Sequence, residues 1–237
     1  MKISVVIPAY NEERYVGACL KSIFLGRIPE LAEVIVVNNA STDNTANVVA
    51  RFPEVRLLNE PERGPAHARR RGFLEAKSDL VGYIDADCRI PKRWLEIAKQ
   101  EFDHDPSLVS LSGPLDYYDL APLPRFFAGL YWKFISIPTY YLVGYMALGG
   151  NMVAKREALE KAGGFDTSID FYGDDTDLAR RLARLGKVKY MGGFFTWTSA
   201  RRISKEGLFT MACKYSLNFF WIVIFHKPYS RGWEDIR

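Results

Sequence analysis

The feature that most restricts the fold is a regular alternation, through the first half of the chain, of short β-branched runs with helical patterns. "ISVVIP" (3–8), "EVIVVNN" (33–39), "VRLLNE" (55–60) and "LVGYIDAD" (80–87) read as strands. Their apolar character is nearly continuous rather than alternating, which suits a parallel sheet covered on both faces. Between them, Val16, Leu20, Ile23 and Phe24 share one face of a helix, with Asn11 as its expected cap. Ser41 or Thr42 is expected to cap a second helix carrying Val48, Val49 and Phe52. Residues 65–77 read as a third helix and 91–102 as a fourth, with Pro91 in its first turn. The order β-α-β-α-β-α-β-α implies right-handed crossovers, so the expected class is α/β with a doubly wound, mostly parallel sheet.

In such sheets ligands bind beyond the carboxyl ends of the strands. The first strand ends at "PAYNE", the second at "NNASTDNT" and the fourth at "DAD", so three polar clusters fall on one rim. No G-x-G-x-x-G follows a strand, and Gly186-Lys187 is followed by Val188, which excludes a phosphate loop of the G-x-x-x-x-G-K-[ST] type. Asp85 and Asp87 would share a face if the strand ran through them. At roughly 5 Å and an effective dielectric near 20 they would repel by ~3 kcal/mol. A divalent cation would offset that repulsion; the simpler reading is a pair of solvated turn residues before "PKRWLEIAKQEF".

The chain has 237 residues and a net charge of +4, a balance that suits anionic ligands such as nucleotide phosphates or an anionic membrane surface. It is too weakly basic to indicate nucleic acid. Cys19, Cys88 and Cys213 form no CxxC pair, and His67, His104 and His226 stand apart, so neither a zinc site nor a disulfide framework is expected. The N-terminus enters a strand at once, without a signal-peptide pattern, and the expected location is cytoplasmic.

An ordered set of motifs resembles the family 2 glycosyltransferases, which have the GT-A fold: "VVIPAYNE" (5–12), "VVNNASTDNT" (36–45), "GPAHARRRG" (64–72), "DAD" (85–87), "GGNMVAKREALEKAGGFD" (149–166) and "YGDDTDLARRL" (172–182). The resemblance implies a Rossmann-like GT-A domain over 1–203, with a nucleotide-binding half (1–115) and a mixed acceptor and catalytic half (116–203). An apolar helical extension would occupy 204–237. It implies transfer of a sugar, with inversion, from a UDP- or GDP-linked donor to a hydroxyl, with Mg²⁺ or Mn²⁺ as cofactor. Pro8, Ala9, Tyr10 and Glu12 would line the nucleoside pocket and Arg69 would help hold the nucleotide. Asp85 would face the ribose or the metal's water shell, and Asp87 would bind the metal. Gly149, Gly150 and Asn151 would line the donor sugar, or form a plain turn before a strand. Asp175 would be the catalytic base, with Asp174 where a glutamate is usual.

Acids at 174, 175 and 177 also suit the first turn of a helix, whose Leu178, Leu182 and Leu185 would face the core and whose end would be Gly186. Two departures stand out. Asn38-Asn39 replaces the carboxylate that reads the nucleobase, leaving an Asn39 amide oxygen to accept from a base N–H. No histidine occurs in "FFTWTSARRIS" (194–204), where Arg201 and Arg202 would clamp phosphate or form a solvated basic turn.

The segments 126–150 and 207–227 are aromatic and apolar, interrupted by Lys133 and Pro138 and by Lys214 and Asn218. Neither reads as a clean membrane span. The second, with its cationic flank "HKPYSR" (226–231), would lie in a membrane interface, and a glycan or polyprenyl-lipid acceptor would follow; covering the sheet or forming a dimer contact is the alternative. A nucleotidyltransferase and a non-catalytic nucleotide-sugar or glycan binding protein remain as further readings.

Overall fold

In the computed structural model, residues 1–169, 172–227 and 229 are described. Seven strands form one sheet: β1 (Ile3–Ala9), β2 (Leu31–Asn38), β3 (Val55–Asn59), β4 (Leu80–Ile84), β5 (Leu108–Ser112), β7 (Asn151–Lys155) and β8 (Lys187–Tyr190). Their order is β3-β2-β1-β4-β7-β5-β8, and β6 (Leu115–Tyr117) pairs in parallel with β9 (Thr196–Thr198) in a small second sheet. β1 to β4 are mutually parallel, whereas β7 runs antiparallel between β4 and β5. The expected α/β, mostly parallel architecture with a mixed second half is therefore present.

The apolar runs are explained by the two faces they fill. Ile3, Val5 and Ile7 of β1 pack with Leu20 and Ile23 of α1 (Val16–Leu25) and with Trp94 of α4 (Trp94–His104). Val6 faces the other way, toward Phe73 of α3 (Pro65–Glu75), Leu159 of α7 (Arg156–Ala162) and Leu178 of α8 (Asp174–Leu182). A strand buried on both sides needs apolar residues at every position.

Several local expectations are corrected. β4 stops at Ile84, so Asp85, Ala86 and Asp87 form a turn, closed by the Cys88 N–H donating to the Asp85 carbonyl at 2.9 Å. Asn11 does not cap α1, which begins at Val16. It adopts φ +52°, and its Oδ1 accepts the Thr42 N–H at 2.8 Å, tying the loop after β1 to the loop after β2. The second helix, α2 (Thr45–Val49), starts beyond Ser41 and Thr42, with Asp43 Oδ1 accepting the Thr45 N–H at 2.9 Å. Pro91 precedes α4 rather than lying inside it. Leu185 lies past the end of α8 and is largely exposed, leaving Leu178 and Leu182 as the buried stripe.

The apolar second half forms α5 (Pro122–Tyr131), a π-helical turn (Trp132–Ser136), α6 (Ile137–Val143), α9 (Arg201–Glu206) and α10 (Leu208–Phe225). Pro138, which has no N–H to give a helix, falls just after the π turn. α10 packs on α5, α8 and α9. Against expectation, it is long and apolar enough to cross a membrane by length and composition, with a mean hydropathy of 1.5 over 18 residues, only 11% of which is buried. Part of the cationic flank at 226–231 lies outside the described residues.

Candidate active site

The rim at the carboxyl ends of the parallel strands opens on a cavity of about 660 Å³. Pro8, Ala9, Tyr10, Glu12, Asn39, Arg69, Asp85, Asp87, Gly149, Gly150, Asp174, Asp175, Arg201 and Arg202 all line it. The structure thus brings together every singled-out side chain except Asn151. That residue is fully buried: its Oδ1 accepts the Trp94 indole N–H at 2.8 Å, and its Nδ2 donates to the carbonyls of Phe194 (2.7 Å) and Pro114 (3.2 Å). Asn151 is a structural clasp beneath the site, not a donor ligand.

The two turn aspartates do not face each other unscreened. Asp85 Oδ1 accepts Arg69 Nη2 at 2.8 Å, while Asp87 Oδ2 lies 3.0 Å from Arg201 Nη2. Two guanidinium groups therefore already offset the repulsion that the sequence pattern assigned to a metal. Arg201 also forks onto buried Glu12, Nη1 to Oε2 at 2.9 Å and Nη2 to Oε1 at 2.5 Å, and covers the Tyr15 ring at 4.9 Å. A solvated basic turn is excluded for it. Arg202 donates to Glu206 Oε1 at 2.8 Å. Bidentate arginine–carboxylate geometry of this kind is among the stronger polar contacts available to a protein.

Next to them, α8 begins at Asp174, preceded by Gly173 in a left-handed conformation (φ +93°). A Cβ there would lie 1.9 Å from Ile222 Cδ1 of α10, so this close approach requires glycine. Asp174 Oδ2 accepts Arg69 Nη1 at 2.6 Å. Asp175 Oδ2 accepts the Gly149 N–H at 3.0 Å, and its Oδ1 takes its neighbour's, Thr176 N–H, at 2.7 Å. Burial pushes Asp174 up to about 7, opposed by the Arg69 charge and reinforced by Asp175. Burial also raises Asp175, against the Gly149 hydrogen bond. A carboxylate held above its usual range, in a cavity, is suited to accepting a proton near neutrality. Asp177 serves the fold instead, bridging Arg180 (2.7 Å) and Arg181 (2.8 Å).

Gly149 and Gly150 form the turn before β7 and also lie in the site. A Cβ on Gly149 would come within 2.6 Å of Arg69 Cζ, and one on Gly150 within 2.6 Å of Asp85 Oδ2. The turn reading holds, and the close approach to Arg69 and Asp85 leaves no room for a side chain at either position.

The Asn39 amide is not free to read a base. Its Oδ1 accepts the Gly64 N–H at 2.8 Å, and its Nδ2 donates to the carbonyls of Glu62 (2.6 Å) and Glu60 (3.2 Å). It fastens the loop after β3 to the rim. That loop delivers a residue the sequence reading missed: Arg63, stacked on the Tyr10 ring at 4.2 Å. The missed apolar lining is larger. Tyr131, Trp132 and Ile135 from the α5 side, with Met211, Tyr215 and Phe219 from α10, line the same cavity as the acids. Aromatic density signalled these segments, but not that one side of them faces the cavity.

Among the described residues no cluster of three or more His, Cys, Asp or Glu is placed to hold a metal. The fit to Mg²⁺ or Mn²⁺ rests on two hard carboxylates, Asp85 and Asp87, a donor set such ions complete with water and substrate phosphates.

Comparison with known proteins agrees with this geometry. A sequence profile described as glycosyl transferase family 2 matches residues 4–163. The probable glycosyltransferase YdaM of Bacillus subtilis is 28% identical over 219 residues, covering 83% of this chain and 50% of its own length. The glucosyl-dolichyl phosphate glucuronosyltransferase of Haloferax volcanii is 27% identical, covering 100% of this chain and 78% of its own. The mannosyltransferase PcManGT of Pyrobaculum calidifontis, solved with GDP-Man and Mn²⁺, superposes with a TM-score of 0.68 at 25% identity, covering 88% of this chain and 62% of its own. Glucosyl-3-phosphoglycerate synthase of Mycobacterium tuberculosis shares the fold at a TM-score of 0.66 and 19% identity, covering 94% and 79%. The chain spans about half the length of the YdaM relative. It belongs to glycosyl transferase family 2.

Proposed function

We propose that the chain is a metal-dependent, inverting glycosyltransferase that moves a sugar from a UDP- or GDP-linked donor to a hydroxyl acceptor. One observation carries the reading: Asp87, with Asp85, and the raised carboxylate of Asp175 line the same cavity. The nucleoside lies along Pro8, Ala9 and Tyr10, and Asp85 and Asp87 hold Mg²⁺ or Mn²⁺. When bound, that ion neutralises charge on the departing diphosphate. Arg201 holds Asp87 and Glu12 in place, and Arg202, which also lines the cavity, is the arginine we assign to the phosphates. Asp175 takes the proton of the acceptor hydroxyl. The acceptor oxygen bonds the anomeric carbon from the face opposite the leaving group, and the bond to phosphate breaks with its electron pair leaving on the nucleoside diphosphate.

The apolar side of the cavity favours a polyprenyl-linked glycan as acceptor, presented at a membrane surface. Phe209 and Ile224 of α10, with Phe126 and Leu142 of the α5–α6 segment, are exposed on helices that also contribute to the cavity. α10 holds buried Ile222 under Gly173. Leaving that contact to span a bilayer would disturb the start of α8, so the helix lies in the interface, on the cytoplasmic face. Residues 1–203 then carry the polar chemistry, and α10 (Leu208–Phe225) completes the membrane-facing wall.

The test is turnover of UDP-glucose, UDP-N-acetylglucosamine and GDP-mannose, each with Mn²⁺ and a polyprenyl-linked glucose in detergent. Nucleoside diphosphate release and the anomer formed are followed by NMR. Manganese-dependent release from one donor, with an inverted product, is expected. Binding without turnover, pyrophosphate release from a nucleoside triphosphate, or a retained anomer would overturn the reading.

A further inference from the structure

Arg69 ends between carboxylates from two different elements of the fold. It leaves α3 with its side chain 8% exposed, donates from Nη2 to Asp85 Oδ1 at 2.8 Å, and from Nη1 to Asp174 Oδ2 at 2.6 Å. Asp85 follows β4; Asp174 opens α8. The guanidinium plane is covered by Gly149, where a Cβ would lie 2.6 Å from Cζ and 2.7 Å from Nη2. That same residue donates its N–H to Asp175 at 3.0 Å. The Phe165 ring lies 5.4 Å from Cζ. Nε is buried without a hydrogen-bond partner, so the head is aimed by its two carboxylates and by packing.

We infer that Arg69 is a positioning residue rather than a nucleotide ligand: with Asp174 it locks donor-side Asp85 and the Gly149–Asp175 contact into one rigid unit. The inference rests on Asp175 being the base. Both terminal nitrogens of Arg69 are already engaged by carboxylates, which is not the disposition of a phosphate clamp. Asp174, only 3% exposed and turned onto Arg69, acts through that arginine and not on the acceptor. Because Asp175 is the next residue of α8, any drift of the Arg69–Asp174 pair tilts the base as well. Only a planar fork can bridge two separated carboxylates in this way; a lysine ammonium is a single point charge.

The experiment compares Arg69→Lys, Asp174→Asn and Asp174→Glu with the wild-type chain. Turnover is measured at saturation with whichever of the three nucleotide sugars the wild type uses fastest, water serving as acceptor. Binding of UDP and GDP with Mn²⁺ is measured by calorimetry. Arg69→Lys and Asp174→Asn are expected to lower kcat by about 10²-fold, the cost of a misplaced reacting group. Nucleotide affinity should stay within about threefold, the signature of an interaction made toward the transition state. Asp174→Glu, which keeps the charge, should recover most of the loss. Weakened nucleotide binding with kcat intact would make Arg69 a nucleotide ligand and overturn the inference. A fall in melting temperature with both constants unchanged would make its role purely structural and overturn it too. Asp175→Asn is run alongside: full turnover by that variant strikes the base assignment itself, whereas an inactive Asp175→Asn with a binding-only Arg69→Lys defect strikes this inference alone.

Discussion

The polar part of the cavity pairs its charged side chains with one another, whereas the apolar helices that close the rest of it leave Leu142 83% and Phe209 82% exposed, outside the cavity lining. In the polar part Glu12 and Asp87 share Arg201, Asp85 and Asp174 share Arg69, and Asp175 rests on the Gly149 N–H. These charged groups are held by partners from the chain itself, the kind of fixed arrangement that electrostatic preorganisation requires. Among the described residues, Phe126 and Phe127 of α5, Tyr141 of α6 and Phe209, Tyr215, Phe220 and Phe225 of α10 are exposed. A contiguous exposed apolar patch would mark an interaction surface, and α5, α6 and α10 each also contribute residues to the cavity.

One glycine from each region sharpens the contrast. Gly149→Ala forces a methyl group against a guanidinium that two ion pairs hold in place. Turnover should fall by about 10²-fold, the scale of a misplaced catalytic group, measured at saturating donor. Gly129→Ala in α5, where a Cβ meets nothing, should leave turnover alone and raise stability by about 0.5–1 kcal/mol in chemical denaturation. Equal losses from the two would break the distinction.

The pH profile gives the next effect in size. Both folded-state pKa values of the Asp174–Asp175 pair are raised, Asp174 to about 7. The folded state therefore binds protons that the unfolded chain releases, and the pair's contribution to stability falls as pH rises from the ordinary carboxylate range toward 7. Turnover moves the other way, because a protonated Asp175 cannot accept the hydroxyl proton. The acid limb of kcat should lie above the usual carboxylate range, and a limb inside that range would contradict the burial argument.

The smallest effect on catalysis belongs to the outer face. Phe209→Ser, Leu217→Ser and Ile224→Ser together change exposed groups that do not line the cavity. Exposed substitutions of this kind usually move stability by no more than about 0.5 kcal/mol each. The triple variant should lose flotation with anionic liposomes while its turnover with water as acceptor matches the wild type. Flotation of the variant at wild-type levels would remove the membrane from this account.

What the sequence made legible follows the range of the interactions. Strands buried on both faces announce themselves locally, and β1 to β4 were readable with their polar ends. The antiparallel β7 was not, because "NMVAK" carries no mark of its partners. The end of β4 was hidden because Ala86 is buried like the strand before it, although the chain has already turned. Amides were misjudged for a similar reason. Asn39 and Asn151 are saturated by partners 21 to 57 residues away, which no motif reveals. The Arg201–Glu12 fork joins residues 189 apart, so the arginine's pairing was invisible even though its place in the site was expected.

The most direct test of the central claim is transfer by Asp175→Asn at saturating donor. The variant should fold and bind nucleotide sugar as the wild type does, and lose about 10²–10⁴-fold in kcat, the worth of a general base. Turnover near the wild-type level would contradict it.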